Sequence, residues 1–302
     1  MAYLCALTNL AALTQSGGLN FAFFPEQPRP GEPITIAVGC TDEASRVSLI
    51  VGGQRLARSS FFAVPAKNGN RGFKAAIITV PATARPGDAL IRIECPEATL
   101  TYISFSIAQR DFVSEVIHLT PVLTGIRTDA SPQRSTEINQ LWAILNRTGT
   151  DVFATEGFML PVSSTRRTSI FGSRRVFMHS DGRSDTSIHA GVDFGVPTGT
   201  HVYASAPGRV MLARSRIVTG MSVIIEHLPG VYSLYYHLSQ IDVAEGDIIE
   251  AGTLLGLSGA TGLATGPHLH WEVRVSGENT DPDALVARNI LDIPAILDII
   301  GN

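Results

Sequence analysis

Three short stretches hold residue types suited to metal or acid–base chemistry: His189-Ala-Gly-Val-Asp193, His237 within "YYHLS", and His268-Leu-His270 within "GPHLHWEV". Of the 8 histidines, all but His118 and His179 lie beyond residue 180. Alternate side chains of a strand share a face, so His268, His270 and Glu272 point one way and Leu269, Trp271 and Val273 the other. The second set is apolar and suits a core, which leaves the imidazoles facing a cleft or solvent. Two imidazoles on one face can reach a common point, and a metal ion there removes the desolvation and repulsion of clustered titratable groups. Imidazole nitrogens and a carboxylate oxygen suit Zn²⁺, and three protein ligands plus water define a catalytic zinc site. His189, Asp193 and one histidine of the pair supply such a set, for one zinc per chain. A lone histidine on a strand is more often an ordinary surface or core residue, the reading adopted for His118, His179, His201 and His227.

The elements that must position these groups are β-rich. From 158 to 302 the chain reads as a compact, mostly antiparallel β domain. "VIIEHLPGVYSLYYHL" predicts a hairpin turning at Pro229-Gly230, "GDIIEAGTLLGLSGATG" predicts short strands, and no helix is expected before the tail beyond Pro282. Residues 111–157 read as a connector with one helix in "SPQRSTEINQLWAILNRTG". Ser131 is its N-cap, Pro132 its first residue, and Gly149 its close. Ile138, Leu141, Trp142 and Leu145 make an apolar stripe predicted to pack between domains. Residues 20–110 read as a small immunoglobulin-like β-sandwich of about six short strands, with turns at Pro30-Gly31, Gly52-Gly53, Asn68-Gly69-Asn70 and Pro86-Gly87. Residues 1–19 read as a tail or the remnant of an export signal. They are mildly apolar but lack a basic start.

The bulk numbers fit this division. A chain of 302 residues, 44% hydrophobic and 17% charged, suits two domains with a connector. The net charge of −4 gives no reason to expect nucleic acid as a partner, and no apolar run is long enough for a transmembrane helix. Nothing here bears on oligomeric state. Cys5, Cys40 and Cys95 include no Cys-x-x-Cys pair, which argues against a thiolate zinc site. Cys40 and Cys95 fall in strands of one domain, either as a disulfide or as two buried thiols. "GDIIEAGTLLG" is similar to a swinging-arm carrier hairpin, but no lysine follows Lys74 to carry the prosthetic group.

Taken together, "HAGVDFGVPTGTHVYASAPGRV", "SVIIEHLPGVYSLYYHLSQIDVAEGDIIEAGTLLGLSGATG" and "TGPHLHWEV" resemble, in order, the lysostaphin-like (LytM-type) zinc endopeptidases of bacterial cell walls. The resemblance covers about residues 160–280. It implies that His189, Asp193 and His270 are the zinc ligands and that His268 and His237 are the catalytic pair. It also implies a substrate among peptidoglycan stem peptides or cross-bridges, and an exported enzyme of the periplasm or cell envelope. A non-catalytic LytM-type adaptor that binds or activates a wall hydrolase is the alternative, and the complete ligand set argues against it. His201 stands where the family commonly has proline, and Leu228-Pro229 where it commonly has glycine, both outside the ligand set. The domain order raises a restraint by the N-terminal domain, with Asp129, Asp151 or Glu156 as blockers of the metal. Arg166, Arg167, Arg174 and Arg175 line a groove for acidic polymer or form a solvated loop.

Overall fold

Short runs of β-branched and aromatic residues separated by glycine turns fold as strands nearly throughout. The computed structural model describes residues 21–39, 44–66, 71–94, 100–147 and 149–301. All three cysteines, the 1–19 segment and the Asn68-Gly69-Asn70 turn lie outside the described residues. Contacts divide the chain into two units, one reaching Arg110 and resuming at Asp292, the other spanning Asp111–Leu291.

The first unit contains β1 (Phe21–Phe24), β2 (Pro33–Gly39), β3 (Arg46–Val51), β4 (Gln54–Ser60), β5 (Phe62–Val64), β6 (Phe73–Thr79), β7 (Gly87–Glu94) and β8 (Leu100–Ile107). They form two antiparallel four-stranded sheets, ordered β1-β2-β6-β5 and β4-β3-β7-β8. One core joins both sheets, with Phe21, Ile36 and Ile78 from the first and Leu49, Ile91 and Ile103 from the second. Burial of such side chains is the main favourable term in folding. The polar edge strand β4 lacks the apolar alternation that would announce it.

The second unit begins with β9 (Ser114–His118), α1 (Pro121–Arg127) and α2 (Pro132–Leu145). Its strands then run β10 (Arg167–Ser169), β11 (Arg174–Met178), β12 (Ser184–Ile188), β13 (Gly191–Phe194), β14 (His201–Tyr203), β15 (Gly208–Arg216), β16 (Gly220–Leu228), β17 (Val231–Ile241), β18 (Ile248–Ile249), β19 (Leu254–Ser258), β20 (Leu269–Val275) and β21 (Glu278–Thr280). The chain ends in α3 (Pro282–Ala287) and α4 (Ile293–Ile300). The main sheet is ordered β10-β13-β20-β17-β16-β15-β18, and a smaller one β12-β11-β9. The hairpin at Pro229-Gly230 joins β16 to β17 as expected. Trp271 is fully buried and lies 6.2 Å from the Phe194 ring.

Three elements differ from their expected placement. Residues 111–157 group with the second unit, where β9 pairs in parallel with β11. The tail helix α4 groups instead with the first unit, burying Ile296 and Leu297 near β1 and β2. Helix α2 starts as predicted, Ser131 accepting from Arg134 N at 3.2 Å, but closes at Asn146 rather than Gly149. Only one end of its stripe is covered. Leu145 joins a core with Leu212, Ile224 and Leu234, whereas Ile138 and Trp142 remain 43% and 44% exposed. A polar contact ties down its middle, Glu137 accepting from Ile217 N at 2.9 Å.

Candidate metal centre

The antiparallel register of β13 against β20 sets Asp193 opposite His270 and Gly191 opposite Glu272. Gly191 permits this pairing, because a Cβ there would lie 2.1 Å from Trp271 O. His189 sits just before β13, its backbone held by two hydrogen bonds of 2.9 Å, N to Ser173 O and O from Gly172 N. His189, Asp193 and His270 thus offer three buried ligand atoms within 4.8 Å of one another.

The outer hydrogen bonds of the two rings fix what faces inward. His189 Nδ1 donates to Ile170 O at 2.8 Å, and His270 Nε2 donates to Glu272 Oε1 at 3.1 Å. These tautomers are assigned from the partners, both of which can only accept. His189 Nε2 and His270 Nδ1 then carry lone pairs 3.0 Å apart, with Asp193 Oδ1 at 3.2 and 2.7 Å from them. With both rings neutral, three electron-pair donors converge in a buried space with no proton among them. That arrangement calls for a cation, and the donors fit zinc. Glu272 is itself gripped by Arg274 Nε at 3.0 Å. The result is the carboxylate–imidazole arrangement that typically orients a metal-binding histidine.

The electrostatics reflect the same demand. Burial depresses the His270 imidazolium, but the Asp193 and Glu272 carboxylates outweigh it and hold its pKa up to about 9. Burial works against ionised Asp193, yet in the ion-free site protons directed at it from His189 Nε2 and His270 Nδ1, where zinc would otherwise stand, keep its pKa well below the usual carboxylate range. Burial is the main cause that lowers His189.

His237 and His268 are built differently. Strand β17 loses register with β16 between Met221 and Val223, and His237 there adopts a left-handed φ of 61°. Such bulges re-aim side chains beside active sites, and a non-glycine residue pays for this backbone conformation. His237 Nδ1 donates to Thr261 O at 2.7 Å and His268 Nδ1 to Gly266 O at 2.8 Å. Each Nε2 is left as the free acceptor. The rings lie 4.8 Å apart, and His268 Nε2 is 3.7 Å from Asp193 Oδ1. Burial, then His268 and His270, lower the pKa of His237 to about 3. Burial also lowers that of His268. All five expected site residues line one cleft of about 260 Å³.

The remaining expected groups fall elsewhere, with one exception. His227 is fully buried, bridging Pro207 O and Ser233 Oγ at 2.7 Å each. His179 pairs with Asp185. Asp129 accepts from Ser131 N at the start of α2, and Asp151 pairs with Arg209. Neither lines the cleft, nor does Glu156; from that part of the chain Ile117, Leu119 and Arg127 do. Arg166 donates to Gly195 O, Arg167 pairs with Asp283, and Arg174 covers the Phe112 ring. Arg175 is the exception, reaching Asp193 at 2.6 Å. Glu272 lies on the face that strand alternation gives it and is only 6% exposed, behind His270 rather than at the surface. Glu115 and Ser169, which hold Arg175, gave no signal in the sequence.

Comparison with known proteins agrees with this geometry. Residues 187–282 match Peptidase family M23. A stretch of 123 residues is 39% identical to the DD-carboxypeptidase/endopeptidase Mpg of Neisseria meningitidis serogroup B, covering 40% of this chain and 27% of that protein. Another, of 89 residues, is 45% identical to the peptidoglycan DD-endopeptidase ShyA of Vibrio cholerae, covering 30% of this chain and 21% of that protein. The matched region therefore spans about a quarter of the length of these curated relatives. A crystal structure of a candidate peptidase M23 from Pseudomonas aeruginosa has a TM-score of 0.60 at 25% identity, covering 86% of this chain and 94% of that one. The stretch that matches Peptidase family M23, residues 187–282, contains the three converging ligand atoms and both cleft-facing histidines.

Proposed function

We propose that the chain is a zinc endopeptidase that hydrolyses peptide cross-links of bacterial peptidoglycan. The observation that carries this reading is the convergence of three inward-facing ligand atoms beside two imidazoles whose Nε2 lone pairs share their cleft. His189, Asp193 and His270 are the metal ligands, and His237 and His268 the catalytic pair. Zinc held there supplies Lewis acidity for a scissile carbonyl and lowers the pKa of water from about 15.7 towards 7.

The chain's own groups do the rest. His237 and His268 are neutral at neutral pH, so each Nε2 begins as a hydrogen-bond acceptor that can orient the attacking water, and one of the two takes its proton. Once protonated, the same Nε2 becomes a donor, able to steady the oxyanion and to return the proton to the leaving amine. The Thr261 and Gly266 carbonyls keep the rings from turning away during this exchange. The matched relatives are named for DD-endopeptidase activity, which favours a peptide bond of the wall as substrate and the cell envelope as site of action. Among the described residues no helix is long and apolar enough to cross a membrane. An adaptor role would leave the complete ligand set and the bulge at His237 without a use.

Digestion of purified sacculi, with fragments identified by mass spectrometry, tests the proposal. Release of uncross-linked stem peptides that stops with chelator and resumes with zinc is expected. Intact sacculi after treatment with the zinc-loaded protein would exclude it.

A further inference from the structure

We propose that Arg175 is a positioning residue of the metal centre, holding the outer oxygen of Asp193 so that the carboxylate offers only one oxygen to the ion. This rests on the reading of His189, Asp193 and His270 as zinc ligands. Arg175 Nη2 donates to Asp193 Oδ2 at 2.6 Å and to Ser169 Oγ at 2.8 Å, while its Nε donates to Glu115 Oε2 at 3.1 Å. Oδ1 of the same carboxylate faces His189 Nε2 and His270 Nδ1. The two oxygens of Asp193 therefore have separate partners.

Strand registers build this arrangement. The parallel pairing of β9 with β11 sets Glu115 beside Arg175, and the pairing of β10 with β13 sets Ser169 opposite Asp193. Ser169 also donates to Glu115, at 2.7 Å to Oε1, which closes the set of contacts around the guanidinium. The Arg175 side chain is only 15% exposed. Arg175, Ser169 and Glu115 all lie outside the 187–282 family match, so this is a support that the preceding segment of the chain adds to the domain.

The chemical consequence is specific. A carboxylate free at both oxygens can chelate a metal with both and fill the position that a catalytic zinc keeps open. A guanidinium clamped on Oδ2 prevents this, and its charge also weakens the attraction of the site for a cation. Arg175 thus sacrifices affinity for an open position. Its removal should separate two properties that a merely structural support would lower together.

The test uses the full chain with Arg175→Met and Arg175→Lys. Zinc dissociation constants are measured by chelator competition, cobalt-substituted visible spectra are recorded, and fragment release from sacculi is followed. For Arg175→Met the expected result is zinc binding as tight as wild type or tighter, weaker cobalt absorption from a higher coordination number, and about 10–100-fold slower release. Arg175→Lys keeps the charge but loses the fork. It should bind zinc as wild type and cut at an intermediate rate, and it carries the test should Arg175→Met not fold. Weaker zinc binding in either folded variant, or Arg175→Met release within about threefold of wild type or faster, overturns the inference. A wild-type protein that neither binds zinc nor cuts sacculi overturns the peptidase reading instead.

Discussion

The two pairs of cleft histidines are the same residue type within a few ångströms of each other, yet they are held in different ways. His189 and His270 stand on or beside the regular β13–β20 ladder and turn lone pairs toward a shared carboxylate oxygen. His237 and His268 stand where regular pairing fails, one on a bulge at left-handed φ and the other at an isolated bridge before β20. Their bound nitrogens are held by plain carbonyls, and their free nitrogens face the cleft. His270 has a carboxylate on both sides and His237 has none within hydrogen-bond range among its described contacts. Their pKa values move in opposite directions, to about 9 and about 3. A carboxylate behind the ring sets His270 apart, whereas His189 shares a carbonyl behind the ring with His237 and His268 and differs from them in standing beside the regular ladder.

Substitution should break the comparison most sharply at the ladder. His189→Ala or Asp193→Ala should lose stoichiometric zinc and reduce sacculus digestion to background, read by metal analysis and fragment release. At the bulge and the bridge, His237→Ala and His268→Ala should retain the metal while activity falls by about 10²–10⁴-fold, the usual contribution of a positioned acid–base group. Glu272→Gln keeps an acceptor for His270 but removes the charge behind it, so zinc affinity should fall by about 10–100-fold with the fold intact. Chelator competition measures this.

The gentlest effect is in pH, about tenfold for each unit. In the zinc-free protein His270 keeps a proton up to about pH 9, and zinc must displace it. Affinity should therefore rise by about tenfold per unit between pH 7 and 9. The folded value lies above the ordinary 6.5, so the stability that His270 lends the zinc-free fold is fully present below 6.5 and lost as pH rises through about 9. Thermal unfolding of zinc-free protein across this range should show melting temperature falling while zinc binding tightens.

Much of the site was legible because strand alternation has a fixed period. It put His268, His270 and Glu272 on one face and Trp271 in the core, and the Pro229-Gly230 turn and the Ser131 cap are equally local signals. What escaped depends on pairings between distant segments. The bulge at His237 arises from a register shift against β16, and nothing in "YYHLS" announces it. Arg175 meets Asp193 only because two different sheets bring them together, while its neighbour Arg174 turns to Phe112. The stripe on α2 predicted a helix correctly but not which part of it would be covered, leaving Ile138 and Trp142 exposed. Helix α4 is apolar along most of its length, and such a helix carries no address for the unit that buries it.

The division of labour between the two histidines of His268-Leu-His270 is most directly tested by zinc content, measured side by side in purified His268→Ala and His270→Ala. The account predicts close to one zinc per chain in the first and almost none in the second. Equal loss in both, or loss confined to His268→Ala, would contradict it.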